Sequence, residues 1–111
     1  MKALTNRVGS YVTGDAVADA VLSYALSLAR ARQLDVVDLP FIAGGGQVAR
    51  VTMMVGWRVD LDAISSGHGG PELTDSGLTD DLKAREGSLH AHGNTPLSPD
   101  ELVSLDAIGE Y

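Results

Sequence analysis

An α+β fold follows from three observations along the chain. The first is an amphipathic helix over roughly 14–33, and the second is a pair of β-rich runs either side of a triple glycine. The third is an acidic, Gly- and Ser-rich stretch after Ser65 with too few apolar residues for a second core. The predicted order is α-β-β, with one antiparallel hairpin. It forms a small single domain over 1–64, followed by an acidic flexible segment over 65–97 and a short helix over 98–111.

The helix is read from TGDAVADAVLSYALSLARARQL. Val17, Val21, Leu22, Tyr24, Ala25 and Leu28 fall on one broad face, and Asp19, Ser23, Ser27 and Arg30 form a polar stripe opposite. That is the 3.6-residue period of a helix half-sunk in a core. Thr13 is the expected N-cap, Asp15 and Asp19 lie toward the positive end of the helix dipole, and Arg30 and Arg32 lie toward the negative end. Residues 1–12 show no clean period and receive no assignment.

The hairpin comes next. DVVDLPFI (35–42) is β-branched and aromatic, and in the run to residue 61 Val51, Met53, Val55, Trp57, Val59 and Leu61 alternate with Arg50, Thr52, Met54, Gly56, Arg58 and Asp60. Gly44, Gly45 and Gly46 supply the positive φ angles of the connecting turn. Pro40 has no N–H to give to a ladder, which makes its strand an edge, and Gly56 marks a bulge or a close backbone approach.

Beyond Ser65 low hydrophobicity and high charge disfavour order. SPDELVSLDAI is an exception, with Ser98 as N-cap, Pro99 at the first helical position and Glu101 completing a capping box ahead of Leu102, Val103, Leu105 and Ile108.

Charge narrows the function. The net charge is −7, made of +2 over 1–59 and −9 over 60–111. An acidic half of that size repels a phosphate backbone, so no nucleic-acid partner is expected. There is no cysteine, which removes disulfides, thiolate metal sites and a cysteine nucleophile. No apolar run is long enough to span a bilayer, so no membrane partner is expected and a soluble, cytoplasmic protein is the reading.

No residue is assigned a catalytic or cofactor-binding role. Gly44, Gly45 and Gly46 lie between strands with no Lys following, unlike a phosphate loop. Asp60 and Asp62 share a strand face without an apolar pocket to raise one pKa. His68, His90 and His92 are the candidate metal ligands, for zinc or nickel, because imidazoles at i and i+2 of an extended segment lie on one side. Arg50, Met54 and Arg58 on the outer strand face, with Leu102 and Leu105 of the last helix, are the candidate interaction residues, since Arg and Met are enriched at interfaces.

One helix and one hairpin make a thin core, so self-association is expected, as a dimer through sheet or helix. The leading expectation is a non-catalytic protein-protein interaction or regulatory accessory module acting as a homo-oligomer. Another protein could bind it through the 47–61 strand face or the C-terminal helix. The alternatives are a metal-binding protein or metal-dependent enzyme built on the three histidines, and an acidic inhibitor that fills a basic groove on a partner.

Overall fold

The computed structural model describes residues 1–67 and 70–93, with side chains described as far as His90. The α+β class stands, but the order of elements is longer than α-β-β. Strands β1 (Lys2–Thr5) and β2 (Ser10–Thr13) precede helix α1 (Asp15–Arg30). Strands β3 (Leu34–Ile42), β4 (Val48–Gly56) and β5 (Asp62–Ser65) follow, and helix α2 (Ser76–Gly93) ends the described chain. The strands form one antiparallel sheet in the order β4-β3-β2-β1-β5.

Residues 2–13 form a hairpin that the sequence period does not reveal, because each strand has only four residues. Asn6 turns the chain: its Oδ1 accepts the N–H groups of Val8 and Gly9, an Asx turn that replaces the usual glycine signal. Leu4 is fully buried opposite Tyr11, whose ring meets Phe41 edge-on at 5.2 Å.

Helix α1 lies where expected and buries Val17, Val21, Tyr24, Ala25 and Leu28 against the sheet. Its N-cap is Gly14, not Thr13. The Thr13 hydroxyl is fully buried and donates to the Pro40 carbonyl at 2.8 Å, so the residue expected to cap the helix ties β2 to β3 instead.

The β3–β4 hairpin pairs in register from Leu34↔Gly56 to Ile42↔Val48, and Gly45 and Gly46 take positive φ in its turn. Two corrections apply. β4 ends at Gly56 and not at residue 61, because Gly56 has φ 117° and its backbone closes on Gln33, where a Cβ would lie 2.3 Å from the Gln33 carbonyl. Residues 57–61 then carry the chain from one edge of the sheet to the other, which requires the sheet to coil around α1.

The second correction concerns the stretch expected to be flexible. Residues 76–93 form α2, with Asp75 as N-cap: its Oδ1 accepts the Leu78 N–H at 3.0 Å and its carbonyl the Thr79 N–H. α2 packs on α1, and Leu82, only 1% exposed, joins the same core as Leu4, Val37 and Val55. The short helix expected over 98–111 lies outside the described residues.

Candidate interaction surface

β3 pairs with β2 at a single position, Val12↔Ile42, so residues 34–40 have a strand on one side only. Pro40 does not make its strand an edge, as the sequence leads one to expect: β3 lies inside the sheet, between β4 and β2, and the missing N–H of Pro40 falls on the side that β2 leaves unpaired, away from β4. Alternate carbonyls on that side, those of Leu34, Val36, Asp38 and Pro40, point the same way, and the last three each accept a side-chain donor. Thr13 Oγ1 serves Pro40 at 2.8 Å, Arg50 Nη2 serves Asp38 at 3.2 Å, and Arg85 Nη1 serves Val36 at 3.4 Å.

Arg50, an expected interaction residue, is thus committed within the chain. It crosses β3 to donate from Nε to Asp38 at 2.8 Å, and it lies 3.6 Å from the Asp75 carboxylate at the start of α2.

The opposite edge differs. β4 pairs with β3 alone, and none of its outward backbone groups has a hydrogen-bond partner among the described residues. By the same parity those groups belong to Val48, Arg50, Thr52 and Met54. The outer face of the ribbon is apolar at one end, where Met54 sits directly opposite Val36, at 54% and 53% exposure, beside exposed Leu34. Toward the turn it carries Thr52 and the Asp38–Arg50 ion pair before exposed Val48.

Met54 and Arg58 both border an open hollow of about 340 Å³ between β4, the β1–β2 turn and the 58–60 connection, whereas Arg50 does not. Val8, 86% exposed, stands on its rim. Arg7 at the rim donates to Asp60 at 2.8 Å, so Asp60 is in a connecting turn and Asp62 in β5, and the two do not share a strand face.

Between the helices lies a polar cluster. The Ser23 and Ser27 hydroxyls donate to Glu86, each at 2.8 Å, and Ser27 Oγ lies 3.3 Å from His90 Nε2. The polar stripe of α1 is therefore partly a helix–helix contact. Serine, histidine and a carboxylate meet here, but Glu86 accepts the serine proton directly. A nucleophile needs the acid on the far side of the imidazole, so this arrangement is a hydrogen-bonded seam with no relay.

Beside it, the Tyr24 hydroxyl donates to Asp35 at 2.5 Å, and Arg85 bridges Asp35 and Asp81 at 3.2 and 2.8 Å. Burial, and then the bond to Asp35, push the Tyr24 hydroxyl up to about 12. Burial alone would raise the Asp35 carboxyl. Hydrogen bonds from Tyr24 and the Val36 N–H, with the Arg85 charge, outweigh it and hold that carboxyl below its ordinary value.

Among the candidate metal ligands only His90 has a described side chain; His68 and the His92 side chain lie outside the described residues. The backbone at 90 and 92 is helical and not extended, which places the two positions about 200° apart around the axis. No group of three ligating residues occurs among the described residues. Leu102 and Leu105 also lie outside them.

The fold and surface define a small α+β domain: a coiled five-stranded antiparallel sheet with a two-helix layer, whose edge strands among the described residues are the nine-residue β4 and the four-residue β5. No family model, curated protein or solved structure matches the chain. No helix among the described residues is long and apolar enough to cross a membrane.

Proposed function

We propose that the protein is a non-catalytic protein–protein interaction module that self-associates through the free edge and outer face of β4. One contrast carries the reading. The open edge of β3 is closed by three side-chain donors, while the nine-residue edge of β4 has none among the described residues. A long edge strand with unpaired backbone groups is a template for another strand. Two copies pairing across a two-fold axis would satisfy it symmetrically and cover Met54 and Val36.

The core is not thin, because β1, β2, β5 and α2 complete the domain, so the open edge of β4 and not a shortage of core favours self-association.

Thr52→Pro tests this directly. The Thr52 N–H faces outward, so its loss removes no described hydrogen bond within the chain but blocks a partner strand. Sedimentation velocity over a concentration series should show a dimer for the natural chain, and a monomer of unchanged circular dichroism for Thr52→Pro. A natural chain that stays monomeric at every concentration, or a dimer untouched by Thr52→Pro and by Met54→Lys, would refute the reading.

A further inference from the structure

Among the described residues only two that are not glycine have positive φ, Arg32 at 54° and Arg58 at 61°. Arg32 closes the C-terminus of α1. Its N–H donates to Ala29 at 3.1 Å and the Gln33 N–H donates to Leu28 at 2.8 Å, a Schellman motif whose left-handed position is usually glycine. Arg58 is the third residue of the 56–59 turn, closed by the Val59 N–H to Gly56 at 3.2 Å, where glycine or asparagine is favoured.

Both arginines serve one tryptophan. Their guanidinium carbons lie 5.5 and 5.4 Å from the Trp57 ring centroid, and the Trp57 N–H donates to Gln33 at 2.9 Å, which locks the two turns together. Neither guanidinium has an acidic partner among the described residues, while Arg7, Arg50 and Arg85 are all ion-paired. In a chain with fifteen acidic residues and a net charge of −7, two unpaired arginines stacked on one ring call for an explanation.

We propose that Arg32, Trp57 and Arg58 bind a phosphoryl group, the dianionic end of a phosphate monoester. Stacking on an indole restrains a guanidinium while leaving its in-plane N–H fork open to an anion. A carboxylate fills one fork. A tetrahedral phosphoryl group has three terminal oxygens and accepts from two forks at once where both open toward the same side of the ring. The chain's own described carboxylates leave both forks empty, and backbone strain is kept at both positions where glycine would relieve it. The site does not depend on pairing through β4.

Trp57 is the only tryptophan in the chain, so its emission reports on the site alone. The full chain is titrated at constant ionic strength with inorganic phosphate, with a phosphoserine peptide and with the unphosphorylated peptide, at pH 8 and pH 5. A saturable change in emission is expected at pH 8. For the phosphopeptide it should be roughly tenfold weaker at pH 5, where the monoester is mostly a monoanion. Tighter binding of the phosphopeptide assigns the site to a phosphorylated side chain, and equal or tighter binding of inorganic phosphate assigns it to a free phosphate. Arg32→Gly and Arg58→Gly should each abolish saturation without lowering the Tm, since glycine fits both backbones. A linear, unsaturating response, the same saturation with acetate, or saturation that survives in both glycine variants would overturn the proposal.

Discussion

Gly14→Ala isolates the contact between the start of α1 and the segment that leads into α2. Gly14 has φ −65° and ψ 152°, a conformation any residue adopts, so alanine there carries no backbone strain. Its Cβ, however, would stand 1.6 Å from the Leu73 carbonyl oxygen and 2.8 Å from the Leu73 carbonyl carbon. Leu73 must retreat until that contact reaches at least 3.0 Å. The retreat drags Glu72 away from the Asp15 N–H, which it accepts at 2.6 Å, and pulls Asp75 from Arg50. A hydrogen bond to a charged group contributes about 1.5–3 kcal/mol, toward the lower end for an exposed carboxylate, and overpacking costs about 1–3 kcal/mol. Together they set an expected loss of about 2–4 kcal/mol. Urea denaturation measures the total, and amide hydrogen exchange locates it: protection should fall across α2 and the first turn of α1 while β3 and β4 keep theirs. A variant within about 0.5 kcal/mol of the natural chain, with α2 as protected as before, would refute the reasoning.

Two further outcomes are expected. Because the folded Tyr24 hydroxyl titrates near 12 against about 10 when unfolded, its contribution of roughly 2 kcal/mol is fully present below pH 10 and lost as the pH rises toward 12. Asp35, held low, contributes above about pH 4 and loses that contribution as the pH falls further. Tyr24→Phe should cost about 1–2 kcal/mol at pH 7 and abolish the alkaline step; parallel stability curves for the two chains between pH 10 and 12 would contradict the assignment. Leu82→Ala should cost about 2–4 kcal/mol by leaving a cavity under α2, and a loss below about 1 kcal/mol would mean that α2 adds little to the core.

The parts of the fold legible in the sequence are those where one face is apolar and the other is wet. α1 and the β3–β4 hairpin have that contrast over sixteen and nine residues, and their placement follows from period alone. β1 and β2 are too short to display a period. α2 fails for a different reason, because it meets α1 through Glu86 and two serines as well as through Leu82, so a polar interface blurs the apolar stripe. Asp75 followed by Leu78, Leu82 and Leu89 was the available signal, and Gly77, Gly87 and Ser88 diluted it.

Of the site, Met54 was readable as an exposed strand-face residue, whereas Arg58, expected on the same face, stands in the 56–59 turn beyond the end of β4. Arg32 was not singled out as a site residue, because its role depends on a left-handed helix end and on a turn that brings Trp57 beside it from twenty-five positions away.

The pairing of β1 on both sides sets a schedule for synthesis. One side is satisfied as soon as Thr13 is made, since Lys2 faces it, but the other side waits for Ser65, which also faces Lys2. At about 5–20 residues per second a ribosome leaves that side open for roughly 3–10 seconds. During this interval Leu4 and its neighbours form a nascent strand edge that any other chain could occupy. Slow codons placed between Thr13 and Ser65 would lengthen the exposure, so the yield of correctly folded protein should depend on translation speed across residues 14–65 more than on speed anywhere else in the chain.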